Sequence, residues 1–282
     1  MTRSHLVHPR HAQTMMYVVL WLVAAIVVLP VLGLLGYMTV KGLAGLNPDL
    51  FLKGSQALLP AVVGTLYLVL LTAAIAAPIG IAAAIYLSEY AHKGTLVRLI
   101  RLAIINLAGV PSVVHGLFGL ALFVMLLKFG RCLLSGAATM ALLVLPLIIS
   151  ASEEALRQVP QRLRDGSLAL GATRWQTIRR VVLPNALPGI MTGLILSISR
   201  AAGETAPILF TAAFLSLTNP YPKSLFDEIL ALPYQLFMMT SEMPTVPTET
   251  KWATAFVLVV LVLGMNIGAI LWRTQLRRAK RW

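Results

Sequence analysis

Two charged residues stand inside an otherwise uncharged stretch of this sequence, namely Arg200 and Glu204. Their i,i+4 spacing predicts that both side chains lie on one face of a helix. A guanidinium stays charged at any working pH and offers paired donors that match oxyanion oxygens, whereas a carboxylate accepts hydrogen bonds. Charges within a bilayer are costly, so such residues usually face a bundle interior or water and serve function. The alternative is a purely structural ion pair.

The environment of this pair follows from the composition. Of 282 residues, 58% are hydrophobic and only 12% are charged, and the mean hydropathy is +0.84. A soluble domain carries about 25% charged residues, so we expect lipid around most of this chain. The net charge of +13 then indicates basic cytoplasmic loops, and we expect no nucleic-acid partner. The single cysteine, Cys132, allows neither an intrachain disulfide nor a thiolate metal cluster, and we expect no metal site.

Charged residues divide the sequence into stretches long enough to cross a hydrocarbon core of ~30 Å as helices. These stretches are Met15–Val40, Gly54–Ser88, Leu102–Leu127, Cys132–Ser152, Val181–Leu215 and Trp252–Trp272. We interpret the first as a retained span, because it exceeds the usual signal-peptide core and no small-residue cleavage site follows it. Pro78, Pro111 and Pro207 predict kinks or short breaks. The predicted fold class is an all-α integral membrane protein with about six transmembrane helices.

The orientation follows from the basic residues. Sixteen of the 23 lysines and arginines fall on one side of the predicted spans, six fall on the other, and Arg200 lies within a span. Because basic residues favour the cytoplasmic side, we expect both termini in the cytoplasm. The predicted organisation is a cytoplasmic tail at 1–14, one membrane domain at 15–275 and a basic cytoplasmic tail at 276–282. Two long connections follow, a cytoplasmic loop at 153–184 and an external loop at 216–251.

The cytoplasmic loop, from Glu153 to Pro184, reads EEALRQVPQRLRDGSLALGATRWQTIRRVVLP. Pro160 is suited to the start of a helix, where no amide hydrogen bond is lost. Gly171 fits a position after the helix end, where a positive φ is needed. Thr173 and Gln176 have the spacing of a capping box for a second helix.

We expect that second helix to run from Arg174 to Leu183, with Trp175, Ile178 and Val182 on one face. The loop is therefore predicted to be a helix, a glycine turn and a helix. One interpretation is an amphipathic hairpin on the membrane surface, with arginines contacting lipid phosphates.

The order of residues favours another interpretation, because the segment resembles the Glu-Ala-Ala loop of ABC importer permeases. That pattern is Glu-Ala-Ala, three residues, Gly, nine residues, Ile, one residue and Leu-Pro. The matching positions here are Asp165, Gly166, Ser167, Gly171, Val181, Leu183 and Pro184. The spacing is kept, while Asp replaces Glu and Gly replaces Ala at the start. The resemblance implies an ABC type I importer permease fold, and a coupling helix that docks on a separate ATPase subunit.

Two further segments extend the resemblance. Ala108–Phe118 reads AGVPSVVHGLF and Ser199–Phe210 reads SRAAGETAPILF. Both are similar to the permease of phosphate-specific ABC importers of the PstA type, and the resemblance covers the chain from Met15 to Arg273. We assign Arg200 and Glu204 to the substrate pathway, because they are the only charges within any predicted span. Ser112 and His115 are candidate pore-lining residues, with helix packing as the alternative for the histidine.

The resemblance also implies the partners. These are a PstC-type second permease, two copies of a PstB-type ATPase, a PstS-type periplasmic phosphate-binding protein and membrane lipid. The sequence contains no G-x-x-x-x-G-K-[ST] phosphate loop, so we expect no cofactor in this chain, with ATP and Mg²⁺ bound by the ATPase. The expected location is the bacterial inner membrane, and we expect a transport subunit without enzymatic activity of its own.

Two alternatives stay open at this point. One is an ABC permease for another oxyanion or a small polar solute. The other is an ion-coupled secondary transporter, for which the sequence shows neither inverted halves nor paired broken spans.

Overall fold

The computed structural model describes residues 9–52, 57–92, 94–213 and 221–278, and nearly all regular structure in those ranges is helical. The one exception is an isolated bridge between Ala213 and Ile229. In chain order the helices are α1 (Pro9–Gly45), α2 (Pro48–Leu52), α3 (Leu58–Ile85), α4 (Thr95–Ala108), α5 (Ser112–Gly119), α6 (Leu133–Arg157), α7 (Gln161–Ala169), α8 (Arg174–Thr177), α9 (Leu183–Gly203), α10 (Ala206–Thr211), α11 (Leu232–Ser241) and α12 (Thr248–Arg278). π-Helical turns follow α3 (Tyr86–Tyr90), α5 (Leu120–Leu126) and α8 (Ile178–Val182).

Five of the described helices are long and apolar enough to cross a membrane. They are Gln13–Gly45, Leu58–Tyr90, Leu133–Arg157, Arg174–Gly203 and Thr248–Gln275. A sixth crossing exists if one bent pair of helices forms a single span. The predicted all-α membrane class with about six spans is confirmed. Parts of the predicted tails and external loop (1–8, 216–220 and 279–282), and the predicted span ends Gly54 and Leu215, lie outside the described residues.

The third predicted stretch, Leu102–Leu127, is not one straight helix. It is divided between α4 and a second segment, Ser112–Leu126, and the two meet at an angle of 102°. The break lies just before Pro111, as the sequence predicts. The cause is local, because a residue that precedes proline disfavours the helical conformation and proline itself lacks an amide donor.

The fifth predicted stretch also differs from one uninterrupted span. Its helix begins at Arg174, in the predicted cytoplasmic loop, and ends at Gly203. Helix α10 follows, with Pro207 in its first turn. Pro78, by contrast, lies inside an α3 that continues without a break. A transmembrane helix tolerates proline where neighbouring turns and helices satisfy the freed carbonyl. The last helix begins at Thr248, before the predicted Trp252.

The core forms where α6 packs between α3 and α9. Several large apolar side chains of α6, including Met140 and Ile148, are completely buried. The approach to α9 is close because both helices carry small residues. A Cβ atom at Gly193 would lie 2.4 Å from the Ala151 Cβ. Membrane helices commonly pack in this way.

Helix α1 lies outside this core and packs along α12. Nearly all described side chains of α1 are exposed, and the Tyr37 and Trp252 rings meet edge to face with centroids 5.3 Å apart. An apolar helix that buries so little of its surface needs lipid or another protein around it.

Candidate functional site

The predicted cytoplasmic loop is a compact hairpin of two helices joined by a glycine turn. Helix α7 follows Pro160, and the chain reverses at Gly171, whose φ is +85°. The Thr173 hydroxyl accepts a hydrogen bond from the Gln176 amide, and the Gln176 side chain accepts one from the Thr173 amide. The glycine turn and the capping box are therefore confirmed, and α7 begins within one residue of the predicted start.

The sequence predicts that the second helix of the loop ends at Leu183, and this prediction is wrong. The helix passes through the π-helical turn at Ile178–Val182 and continues into α9, so Leu183 and Pro184 lie in a membrane-spanning helix. Pro184 cannot donate to the Arg180 carbonyl, and a widened turn at that point accommodates the missing hydrogen bond. The loop is thereby joined without a break to the helix that carries Arg200.

The two helices of the hairpin are held together by side chains. The Ser167 and Thr177 hydroxyl oxygens are 2.9 Å apart, and Thr177 is buried. Ile178 and Val182 are also buried, whereas Trp175 is 54% exposed, so the expected common apolar face is divided between the protein and its surface. The Ser167 side chain thus acts inside the loop rather than on its surface.

The outer surface of the hairpin is apolar at its tip. Leu170 is 90% exposed, and Trp175 lies close to it in the sequence. Asp165 is exposed as well, and its Oδ1 atom accepts a hydrogen bond from Gln161. No atom lies within 4 Å of a Cβ placed on Gly166. Exposed leucine and tryptophan side chains on a polar helical hairpin are typical of a surface that another protein covers.

A polar cavity of about 680 Å³ lies between this hairpin and the ends of the adjacent helices. Its lining includes three arginines, Arg157, Arg164 and Arg174, and one carboxylate, Glu89. Arg164 forms a nearly buried ion pair with Glu89, with Nη2 and Oε1 2.8 Å apart. Sequence reasoning missed Glu89. The available signal was its position, since it is the one acidic residue between Asp49 and Glu153.

The candidate pathway pair lies at the other end of α9. Arg200 is in its last turn, but Glu204 follows the helix end with extended backbone (φ −76°, ψ 135°). The predicted placement of both residues on one helical face is therefore wrong for Glu204. The chain leaves the helix at Gly203, four residues before Pro207. The side chains nevertheless meet, with Nε and Oε1 3.4 Å apart.

The Arg200 side chain is 45% exposed and that of Glu204 is 18% exposed in this chain. A clamp that stabilises the fold from within would be more deeply buried. Next to Arg200, Ser199 contacts Asn266 of α12 through a side-chain hydrogen bond. The guanidinium therefore has donors available on an open face, where it can bind an oxyanion.

The two candidate residues of α5, Ser112 and His115, differ in their exposure to solvent. Ser112, the first residue of α5, is partly exposed. His115 is buried, and its Nδ1 atom lies 3.3 Å from the Pro111 carbonyl oxygen. Its Nε2 atom has no hydrogen-bond partner in the part of the chain that the structure describes. This burial favours helix packing over pore lining for His115.

The chain is similar in sequence to a known family of transport proteins. The family described as "Binding-protein-dependent transport system inner membrane component" matches residues 76–282. The chain belongs to this family. The resemblance to ABC importer permeases is thereby confirmed, and this membrane component is a transport subunit that crosses the membrane several times.

Relatives match over most of their length. A probable ABC transporter permease, YqgI of Bacillus subtilis, is 32% identical over 88% of this chain and 90% of its own. The phosphate transport system permease protein PstA 1 of Mycobacterium tuberculosis is 35% identical over 85% of this chain and 76% of its own. PstA of Xylella fastidiosa Temecula1 is 36% identical over 81% of both chains.

Solved structures agree with the fold. An ABC transporter that imports the acidic polysaccharide alginate superposes with a TM-score of 0.66 at 14% identity, covering 93% of this chain and 96% of its own. The inward-facing methionine transporter MetNI gives 0.64 at 18% identity, covering 78% and 95%. At such identities the likeness shows the fold alone, which is that of an ABC importer permease.

Proposed function

We propose that this chain is the membrane permease subunit of an ATP-driven importer of inorganic phosphate. The observation that carries the proposal is its 35–36% identity, over more than four fifths of the chain, to permeases named for phosphate transport. In this proposal the chain forms half of the translocation pathway, in the inner membrane of a bacterium. A PstC-type permease forms the other half, and a PstS-type binding protein delivers phosphate from outside.

The same proposal assigns the hairpin at 160–177 to a PstB-type ATPase. ATP and Mg²⁺ are bound by two copies of that ATPase and not by this chain. The exposed tip at Leu170 and Trp175, together with Asp165, is the surface we assign to its groove. Because the second helix continues into α9 as far as Gly203, a displacement at the tip reaches Arg200 along a single helix.

The arrangement of Arg200 and Glu204 suits phosphate. The guanidinium matches two oxygens of an oxyanion, whereas the nearby carboxylate repels an anion that has no proton. Near neutral pH phosphate retains a proton, since its second pKa is roughly 6–7, and that proton can be donated to Glu204. Sulfate has none, so the pair adds a filter to the selectivity of the binding protein.

The test uses the permease reconstituted in liposomes with the second permease, the ATPase and the binding protein. We expect uptake of radiolabelled phosphate that requires both ATP and the binding protein, with little uptake of sulfate. A permease for another oxyanion would instead transport sulfate or a different solute with its own binding protein. Uptake by this chain alone, driven by a proton or sodium gradient without ATP, would identify a secondary transporter and contradict the proposal.

A further inference from the structure

The segment Tyr86–Tyr90 extends the second span by one π-helical turn on its cytoplasmic end, beside the hairpin. Glu89 of this turn is 9% exposed at its side chain, and Arg164 of α7 is 12% exposed. Two opposite charges are thus removed from solvent where a membrane-spanning helix meets the loop. Removal of charges from water is costly, and the cost is offset only where the geometry of the pair is good and its remaining hydrogen bonds are satisfied.

That condition is met here. The Arg164 Nε and Nη2 atoms donate to the two oxygens of Glu89, at 3.3 and 2.8 Å. The same guanidinium donates to the Val159 carbonyl oxygen at 2.5 Å and to the Leu156 carbonyl oxygen at 2.8 Å. One side chain of α7 therefore joins the end of α3 and the end of α6.

The second helix of the hairpin contacts the same turn. Arg174 donates a hydrogen bond to the Glu89 backbone carbonyl, and its guanidinium lies 5.2 Å from the centre of the Tyr90 ring. Both helices of the loop thereby contact Glu89 at the end of the second span, and the second helix also contacts Tyr90.

Helix α3 continues from this turn to the opposite side of the membrane. There the Leu232 amide donates to the Thr65 hydroxyl at 2.9 Å, and Gly64 approaches the Leu230 carbonyl so closely that a Cβ atom would lie 2.0 Å from it. One helix therefore contacts the hairpin at one end and the predicted external segment at the other.

We propose that Glu89 and Arg164 are a positioning pair that transmits movement of the hairpin to the second span. The inference deepens the proposed function and rests on it, because it assumes that an ATPase moves the hairpin. When the ATPase displaces α7, the ion pair moves the end of α3 with it. Without the pair, the end of α3 follows the hairpin less closely, and less phosphate is transported for each ATP hydrolysed.

Stability alone does not explain these charges. Replacement of a buried ion pair by apolar residues is often neutral or stabilising, so a well-packed apolar contact would serve the fold equally well. The pair instead fixes one geometry between three elements. The neighbouring pair of Arg157 and Glu153 lies within one helix, with Arg157 51% exposed at its side chain, and provides a matched control.

The experiment measures phosphate uptake and ATP hydrolysis in the same proteoliposomes, with the complete transporter and the amount of assembled complex quantified. We expect Glu89→Gln and Arg164→Gln to lower uptake per ATP about tenfold, within the usual range of coupling between sites. Arg164→Lys keeps the charge but loses the paired geometry. Its uptake per ATP should lie between that of these variants and that of the wild type. Arg157→Gln should keep the wild-type ratio.

A reversible tether separates positioning from folding. In a Cys132→Ser background, Glu89→Cys with Arg164→Cys is cross-linked after assembly by a short bis-maleimide with a reducible link. We expect uptake per ATP to rise when the tether forms and to fall again when dithiothreitol cleaves it, since assembly is unchanged throughout.

Three results would overturn the inference. The first is a wild-type ratio of uptake to ATP in Glu89→Gln. The second is a loss of uptake that only follows a loss of assembled protein, and the third is a tether without effect. The proposed function fails differently, because then the wild-type complex itself shows no ATP-dependent phosphate uptake.

Discussion

The hydroxyl oxygens of Ser167 and Thr177 lie 2.9 Å apart, on the two helices that meet at Gly171. This hydrogen bond closes the hairpin internally, independently of the contacts that attach it to the second span. The hairpin therefore has two separable properties, its own rigidity and its attachment. Both are needed if a force applied at the exposed tip is to reach the membrane-spanning helices.

Loss of this internal bond should loosen the hairpin. We expect Ser167→Ala to destabilise it by about 1 kcal/mol, because the Thr177 hydroxyl loses a partner. Amide hydrogen exchange across 161–177 should become about fivefold faster, the factor that corresponds to 1 kcal/mol. Thr240→Ala is the control, since that exposed hydroxyl donates to carbonyl oxygens of its own helix. Unchanged exchange in Ser167→Ala would contradict the role of the bond.

The turn at Gly171 gives a second prediction. Its φ of +85° disfavours β-branched residues, although open space surrounds a Cβ atom there. We expect Gly171→Val to abolish substrate-stimulated ATP hydrolysis while the permease still inserts, and Gly171→Asn to keep much of it, since asparagine tolerates this region better. Normal stimulation in a well-inserted Gly171→Val variant would contradict the assignment.

The matched control is Gly166, which lies in α7, five residues before Gly171. Gly166 has no positive φ and no neighbour within 4 Å, so Gly166→Ala should be tolerated. It should stabilise α7 by up to ~1 kcal/mol, because alanine is the better helix former.

A third prediction concerns the contact between α3 and the external segment. A Cβ atom at Gly64 would overlap the Leu230 carbonyl oxygen, which belongs to the backbone and cannot rotate away. We expect Gly64→Ala to destabilise the permease by about 1–3 kcal/mol, the usual effect of overpacking. Thermal unfolding in detergent would measure it. Gly33→Ala is the control, since nothing lies within 4 Å of that position, and an equal effect at both sites would contradict the contact.

The local features of the hairpin were predictable because each depends on neighbouring residues. Proline, glycine and the Thr173–Gln176 box act within one turn, and the sequence places them correctly. The course of the helix beyond Leu183 was not predictable in this way. Sequence alone does not show that Pro184 is accommodated by a π-helical turn rather than by a helix end.

The attachment of the hairpin was also beyond sequence reasoning. Glu89 and Arg164 are separated by 75 residues, so their contact depends on how α3 and α6 pack. For Glu204, by contrast, the sequence predicted a local arrangement that the structure does not have. The i,i+4 spacing from Arg200 suggested a helical face, but the chain leaves the helix one residue earlier and the side chains meet across that end.

The orientation in the membrane stays a prediction, based on the distribution of basic residues. It places His92 and Ala172 in the cytoplasm and Asn47 and Ser241 outside. All four positions are at least partly exposed. Single cysteines there, in a Cys132→Ser background, should react with an impermeant maleimide from opposite sides of the membrane. Labelling of Ala172→Cys from outside would show that the topology is the reverse of the predicted one. The hairpin could then not dock on a cytoplasmic ATPase.

The last prediction concerns Arg200 and Glu204, whose partly exposed pair stands at the end of α9. We expect Arg200→Gln to lower phosphate uptake about 10- to 100-fold without loss of assembly, the range for a hydrogen bond to a charged group. Arg200→Lys should lower phosphate uptake more than its retained charge suggests, because a point charge cannot replace two parallel donors. Glu204→Gln should keep assembly and admit more sulfate, since the repulsion of an unprotonated anion is lost.

Uptake must be measured beside the amount of membrane-inserted protein for all three variants. A structural clamp predicts a different pattern, in which either single substitution leaves an unpaired charge and lowers the amount of folded permease. Ser199→Ala serves as the control, because it removes the neighbouring contact to Asn266 while it leaves both charges in place. If the inactive variants are missing from the membrane in proportion to their lost uptake, Arg200 and Glu204 stabilise the fold and do not select the substrate.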